Sequence, residues 1–151
     1  MYMLDTNICI YIIKKKTENV LDKLKQNRKK GLCISSITLA ELEFGNANAD
    51  SLYKERNQLA LLEFLTIMNI KHFDELAAIE YGTIKKDLKD RNSLIGPFEP
   101  QPSPQGVGLE VRGSPLDMLI AAHAKSLNMT LVTSNVREFE RIQNLKIENW
   151  V

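Results

Sequence analysis

The sequence is poor in the residues that mark disulfide-stabilised or membrane-spanning proteins. Its 151 residues include two cysteines and one tryptophan. Cys9 and Cys33 have apolar neighbours, so we expect buried free thiols in a reducing compartment rather than a disulfide. Apolar runs such as residues 116–122 are far shorter than the roughly 20 residues of a membrane span. We expect no signal peptide, because Asp5 interrupts the N-terminus. The sequence therefore predicts a cytoplasmic protein without a membrane association.

Length and composition favour one folded domain over residues 1–151. Hydrophobic residues make up 44% of the chain and charged residues 26%, with a net charge of +1. A chain of this length buries roughly 68–70% of its unfolded surface, which supports a single apolar core but not two ordinary domains. Disorder is excluded at this apolar fraction and charge balance.

The charge is unevenly distributed. Residues 14–30 contain eight basic and two acidic side chains, so this stretch is net +6 and the remainder is net −5. Such a stretch can bind the phosphates of a polyanion. It can equally be a solvated amphipathic helix that buries Val20, Leu21 and Leu24, and the stretch taken alone favours this second interpretation.

Short apolar runs alternate with helical patterns. Strands are predicted at residues 2–4, 32–35, 70–73, 130–133 and 146–147. Helices are predicted at residues 8–13, 17–30 and 116–127, after an N-cap at Ser36, from Ser51 with Leu59, Leu62, Phe64 and Leu65 on its apolar side, from an N-cap at Asp74 with Leu76, Ile79, Ile84 and Leu88 at helical intervals, and around Phe139. This alternation predicts an α/β fold with a mostly parallel sheet.

One window breaks this alternation. All five prolines lie between Pro97 and Pro115, and four of the seven glycines lie between Gly96 and Pro115. Residues 98–115 are therefore incompatible with a helix of any length. An irregular segment this long in a small domain is either functional or an insertion.

Several common catalytic motifs are missing. The sequence has no Gly-rich phosphate loop, no Cys-x-x-Cys pair and no His-x-x-x-His metal motif. It also lacks the Gly-x-Ser-x-Gly elbow of many serine hydrolases. Its two histidines, His72 and His123, lie in a predicted strand and in a run of alanines, where a structural role is favoured over a catalytic one.

Four polar side chains stand at positions that are unusual for solvent-facing residues. Asp5 and Asn135 each follow a predicted strand, Glu41 lies within an apolar helical face, and Asp117 begins the most apolar helix. The carboxyl ends of parallel strands share one edge of a sheet, where ligands bind. Clustered carboxylates repel one another unless a cation neutralises them, and Mg²⁺ or Mn²⁺ prefers such oxygen ligands.

Helix capping is the alternative interpretation for three of these residues. Asp5 can cap the first helix. Asp117 stands at capping-box spacing from Ser114, and Asn135 at the same spacing from Glu138. Glu41 has no such explanation, because it lies beyond the first turn of its helix. Taken together, the four residues favour a metal site.

The chain resembles the PIN-domain ribonucleases, and in particular the VapC-type toxins of bacterial toxin–antitoxin pairs. The similar segments follow the family's order and span nearly the whole chain: Met3-Leu4-Asp5-Thr6-Asn7, Ile37-Thr38-Leu39-Ala40-Glu41-Leu42 with Gly45, Ile95-Gly96-Pro97, Leu116-Asp117-Met118-Leu119-Ile120-Ala121-Ala122-His123-Ala124, Leu131-Val132-Thr133-Ser134-Asn135-Val136-Arg137-Glu138-Phe139, and Glu148-Asn149-Trp150.

The resemblance implies a PIN-like α/β/α sandwich around a central, mostly parallel sheet of four or five strands. It also implies an endoribonuclease that depends on Mg²⁺ or Mn²⁺, forms a homodimer, and binds a cognate antitoxin whose tail covers the site. The family's three acids match Asp5, Glu41 and Asp117, and its fourth acidic position matches Asn135. Thr6 and Ser134 match positions that orient metal-bound groups. Cleavage of RNA, and of initiator tRNA in particular, is an activity found in this group.

Residues 98–115 depart from the family pattern. In the family the Gly-Pro turn leads almost directly into the aspartate-bearing helix, so this segment looks like an insertion. We assign the third acid to Asp117 rather than Glu99, because Pro100 follows Glu99. The insertion leaves two rivals to a ribonuclease: a catalytically silenced scaffold that binds its antitoxin or RNA without cutting, and a structure-specific DNA nuclease.

Overall fold

A computed structural model of the protein describes residues 1–91 and 115–151, and strands and helices alternate along both ranges. The strands are β1 (Tyr2–Leu4), β2 (Leu32–Ser35), β3 (Asn69–Lys71), β4 (Thr130–Val132) and β5 (Lys146–Glu148). The helices are α1 (Thr6–Ile13), α2 (Glu18–Asn27), a 3-10 helix (Arg28–Lys30), α3 (Ser36–Ala47), α4 (Ser51–Leu65), α5 (Glu75–Asp90), α6 (Pro115–Ser126) and α7 (Val136–Phe139). The insertion predicted at about 98–115 lies outside the described residues, except for Pro115.

The five strands form one parallel sheet in the order β3-β2-β1-β4-β5. β1 lies at its centre, with Tyr2 opposite Leu32 of β2 and Thr130 of β4. Every strand therefore points the same way, and the residues that follow the strands lie along one edge. The α/β class and the parallel sheet that the sequence predicted are confirmed.

Each face of the sheet has its own apolar core, because successive strand residues point to opposite faces. One core contains Met3, Cys33 and Leu131 and is covered by α5, α6 and α7. The other contains Leu4, Ile34 and Val132 and is covered by α1, α2, α3 and α4. The result is the expected α/β/α sandwich. Both cysteines are buried free thiols, also as expected. Within the described ranges, no helix is both long and apolar enough to cross a membrane.

The structure corrects two helix boundaries. The N-cap of α3 is Ser35 rather than Ser36, because the last strand residue already has the extended backbone of a cap and accepts a hydrogen bond from the Ile37 amide at 3.1 Å. The second amphipathic helix ends at Asn27 rather than at residue 30. A 3-10 turn completes it, and Gly31 then takes a positive φ of 86°.

The apolar sides predicted for α4 and α5 are partly wrong. Apolar residues occupy more than one face of these helices, and only one face meets the core. The buried residues are Leu61, Phe64, Ile84 and Leu88, whereas Leu59, Leu62, Leu76 and Ile79 are exposed.

This difference is measurable within α5. Leu88 is 0% exposed and Leu76 is 64% exposed. We expect Leu88→Ala to lower the free energy of unfolding by roughly 2–5 kcal/mol, because truncation leaves a cavity. Leu76→Ala should change it by less than about 0.5 kcal/mol. Urea unfolding at low protein concentration measures both values, and equal losses for the two variants would contradict the observed packing.

Candidate active site

Polar side chains gather where β1 and β4 end. Asp5 directly follows β1 and is only 3% exposed, and Thr133 directly follows β4 and is fully buried. The paired register aligns Met3 with Leu131 and Leu4 with Val132, so Asp5 and Thr133 continue the same alignment one step further. These two side chains therefore meet at the carboxyl edge of the sheet, where the sequence predicted a site.

Both carboxylate oxygens of Asp5 are engaged. Oδ1 accepts a hydrogen bond from the Ile8 amide at 2.9 Å, and Oδ2 accepts one from the Thr133 hydroxyl. Oγ1 of Thr133 in turn accepts a hydrogen bond from the backbone N–H of Asn135 at 3.0 Å. Asp5 thus caps α1, as the capping interpretation held, and is fixed toward β4 at the same time.

A second carboxyl group reaches this edge from α3. Glu41 is half-buried, and its Oε2 accepts a hydrogen bond from the hydroxyl of Thr6, the first residue of α1. Because Thr6 adjoins Asp5 in the chain, this contact brings Glu41 close to the first carboxylate. Asp5, Thr6, Glu41, Thr133 and Asn135 are called the carboxylate edge below.

The environment of Asp5 disfavours its charge. The pKa of this carboxyl group is raised to about 6, chiefly by burial and to a smaller extent by the negative charge of Glu41, against hydrogen bonds from Thr133 and from the Ile8 and Asn7 backbone that lower it. A carboxylate held this way, beside a second one, is stabilised by a nearby cation. The oxygen-only donor set suits a hard divalent ion.

The third predicted acid, Asp117, is not grouped with Asp5 and Glu41. Asp117 lies half-buried in the first turn of α6. Among the residues that the structure describes, no three carboxylate, imidazole or thiol side chains form a group that could hold a metal ion. The structure thus brings Asp5 and Glu41 together and does not add Asp117 to the same group.

Asn135 and Ser134 follow Thr133 after the end of β4. Asn135 occupies the N-cap position of α7, but its side chain makes no capping hydrogen bond to that helix, so the capping interpretation is wrong for this residue. Its half-buried amide group lies two residues beyond Thr133. Ser134 lies between them and is also half-buried.

Sequence reasoning missed Thr133. It assigned this residue to the strand and gave the orienting role to Thr6 and Ser134. The available signal was the parity of the strand: Leu131 and Thr133 point to one face of β4, as Met3 and Asp5 do along β1. A hydroxyl in line with a buried aspartate is a natural hydrogen-bond partner for it.

Comparison with known proteins identifies the family of this chain. The PIN domain family matches residues 2–145. Ribonuclease VapC2 of Haemophilus influenzae is 39% identical over 99% of this chain and 98% of its own length. The tRNA(fMet)-specific endonuclease VapC of Salmonella typhimurium is 37% identical over 99% and 97%.

Solved structures show the same fold. VapBC2 from Rickettsia felis, bound to a DNA fragment from its promoter, aligns with a TM-score of 0.82 at 37% identity, covering 99% of this chain and 98% of that one. DNA-bound VapBC from Salmonella typhimurium aligns with a TM-score of 0.80 at 36% identity, covering 99% and 98%. The chain therefore belongs to the PIN-domain family and, within it, to the VapC ribonucleases. Nucleases of the PIN-domain family are generally metal-dependent.

Burial of Asp5 has a consequence for stability without metal. The pKa of Asp5 is higher in the folded protein than in the unfolded chain, so protonation of Asp5 stabilises the fold. This stabilisation is lost as the pH rises from about 4 to about 6. We expect chelator-treated protein to become less stable across this window. Asp5→Asn should remove the loss and raise the free energy of unfolding at pH 7 by roughly 1–3 kcal/mol, since asparagine is also a good N-cap.

Thermal or urea unfolding in a chelator, at pH 4, 5, 6 and 7, measures the effect. Asp22→Asn is the matched control, because Asp22 is an exposed helical carboxylate paired with Lys25 at 3.7 Å. This control should change stability by less than about 0.5 kcal/mol. If the Asp5→Asn variant is less stable than wild type at pH 7, the ionised Asp5 carboxylate does not destabilise the metal-free fold, and the prediction is wrong.

Proposed function

We propose that this chain is the toxin of a toxin–antitoxin pair and a metal-dependent endoribonuclease that cuts RNA at the carboxylate edge. One observation carries the proposal: Asp5 and Glu41 are brought to the same end of the sheet, each oriented by a threonine hydroxyl. In a VapC ribonuclease, two neighbouring carboxylates can hold the divalent ion that assists phosphodiester hydrolysis.

In this proposal Asp5, Glu41 and Asp117 hold Mg²⁺ or Mn²⁺, and Asn135 contributes a neutral amide oxygen. A bound divalent ion lowers the pKa of water and stabilises negative charge on the scissile phosphate. Thr133 and the Ile8 amide fix the two oxygens of Asp5, and Thr6 fixes Glu41. Ser134 helps to orient the same groups. Whichever of these carboxylates is not a direct ligand would align the attacking water as a general base.

The basic stretch at residues 14–30 supplies the RNA-binding surface. Val20 and Leu24 are buried, so the amphipathic-helix interpretation holds for α2. The eight basic residues are all exposed, namely Lys14, Lys15, Lys16, Lys23, Lys25, Arg28, Lys29 and Lys30. The stretch begins where α1 ends, about 12 Å along an eight-residue helix from Asp5. An RNA strand that extends beyond the site can therefore contact Lys14, Lys15 and Lys16 first, whereas Arg28, Lys29 and Lys30 precede β2 at the opposite edge of the sheet.

The substrate we propose is tRNA. A relative 37% identical to this chain is named a tRNA(fMet)-specific endonuclease, and its match extends over nearly both full lengths. Initiator tRNA is accordingly the first RNA to test. The proposed place of action is the cytoplasm, where tRNA is present.

A cognate antitoxin and a second copy of the chain are the proposed protein partners. Two of the structural relatives are VapBC complexes, which supports a cognate antitoxin as partner. We propose that this antitoxin covers the site. The structure also has large exposed apolar side chains, including Phe44, Leu52 and Tyr53 on α3 and α4, and Ile79 on α5. Apolar area of this kind is typical of protein interfaces.

Cleavage of tRNA tests the activity. Purified wild-type protein should cut total tRNA in Mg²⁺ or Mn²⁺, and EDTA should abolish the cleavage. Asp117→Ala should lower the rate at least 100-fold, because it removes a proposed metal ligand. Glu140→Ala, at an exposed carboxylate beyond α7, is the control and should cut like wild type.

Gel analysis of labelled tRNA measures the rate. A folded wild-type protein that cuts no RNA, with or without residues 98–115, would contradict the ribonuclease proposal and favour a binding scaffold. Full activity of Asp117→Ala would remove this residue from the site while leaving the nuclease intact.

The basic stretch makes a separate prediction. Replacing Lys14, Lys15 and Lys16 together by alanine should raise KM for tRNA and flatten its dependence on salt, since each lost phosphate contact lowers the salt slope by about 1. The matched triple replaces Lys54, Arg56 and Lys89, which are exposed on α4 and α5. Equal effects of the two triples on KM would assign the binding to general charge rather than to this stretch.

A further inference from the structure

A buried histidine joins the elements that carry Glu41 and Asp117. His123 lies on α6 and is 1% exposed, and Ser35 ends β2, caps α3 and is 0% exposed. Nδ1 of His123 and Oγ of Ser35 are 2.8 Å apart. This hydrogen bond ties the start of α3 to the last turn of α6.

The contacts of Ser35 are compatible with a hydrogen bond that Ser35 donates. Oγ of Ser35 already accepts a hydrogen bond from the Ile37 amide at 3.1 Å. The rotatable hydroxyl can still point its hydrogen at Nδ1, and in that arrangement Ser35 donates to a neutral His123 ring that carries its hydrogen on Nε2. Burial lowers the pKa of His123, and the ring of His72 and Lys71 lower it too, against Asp74 and the His72 backbone, which raise it. A neutral ring agrees with this balance.

Phe73, which follows β3, adds contacts to both His123 and α3. The ring of Phe73, between β3 and α5, packs edge-on against His123 with centroids 5.6 Å apart. The Phe73 amide donates to Oγ of Ser36 at 3.1 Å. Ser35, Ser36, Phe73 and His123 form what is called the His123 cluster below, and it fixes α3, α6 and the β3–α5 junction to one another.

The cluster controls the spacing of the proposed ligands. Glu41 lies six residues after Ser35, and Asp117 lies six residues before His123, which is about 9 Å along each helix. A shift of α3 against α6 at the cluster therefore moves the two carboxyl groups relative to each other. Displacements of about 1 Å in a catalytic arrangement can lower a rate about 100-fold.

We propose that His123 and Ser35 are positioning residues of the nuclease site, and that the hydrogen bond from Ser35 to neutral His123 sets the Glu41-bearing helix against the Asp117-bearing helix. Neither residue contacts substrate or the reacting atoms in this proposal. The inference rests on the proposed ribonuclease activity.

Four variants test it, each compared with wild type for kcat and KM on tRNA in saturating Mg²⁺. His123→Leu and Ser35→Ala remove the hydrogen bond, whereas His123→Asn keeps an acceptor near the place of Nδ1 and Ser35→Thr keeps the hydroxyl. We expect the first two to lower kcat about 10- to 100-fold with KM within twofold. The conservative variants should stay within about threefold of wild type.

Two controls separate positioning from loss of stability. Ile142→Ala, which removes a buried side chain beyond α7 and lies on none of α3, α5 and α6, should lower the melting temperature without lowering kcat at 25 °C. The double variant Ser35→Ala/His123→Leu should lose no more than Ser35→Ala, because both substitutions remove the Ser35–His123 bond and only Ser35→Ala also removes the cap of α3.

Three results would overturn the proposal while leaving the nuclease in place: wild-type kcat in His123→Leu and Ser35→Ala, losses confined to KM, or a folded His123→Asn as slow as His123→Leu. A folded wild-type protein that cleaves no tRNA would overturn the proposed function, and the positioning proposal with it.

Discussion

The pairing of β1 between β2 and β4 is the constraint on which the rest of the molecule depends. It forces Met3 and Leu4 into opposite apolar cores and leaves the next residue, Asp5, at the edge where both cores end. A buried carboxylate at that place needs partners, and the parallel register supplies Thr133 from the neighbouring strand. The fold and the site are therefore consequences of the same strand alignment.

The sequence predicted the architecture well because α/β proteins repeat a simple local signal. Short apolar runs between helical patterns are sufficient to identify a parallel sheet, and the positions of Asp5 and Glu41 identified a site at its edge. The exposed sides of α4 and α5 were missed for a physical reason. Periodicity shows which residues are apolar, but where several faces carry such residues, only tertiary packing selects the buried one, as it selects Leu88 over Leu76.

Capping and catalysis are not exclusive explanations for a polar residue at a helix start. Asp5 caps α1 with one oxygen and faces Thr133 with the other, so a capping motif supplies the rigidity that a metal-binding carboxylate needs. Asn135 has the capping spacing but not the bond. Spacing alone cannot separate these cases, because a motif records which residue can cap and the register of the neighbouring strand determines what its side chain meets.

The two parts of the proposed site are held by different kinds of interaction. Asp5 and Glu41 are fixed by hydroxyl donors within a few residues of β1 and β4, so the central sheet itself sets their relation. Asp117 is on a helix that packs mainly against α5, and its position relative to Glu41 depends on how α6 sits against α3. The buried bond between Ser35 and His123 lies at that interface. The strands do not fix the position of Asp117 relative to Glu41, so a contact between α3 and α6 is needed to fix it.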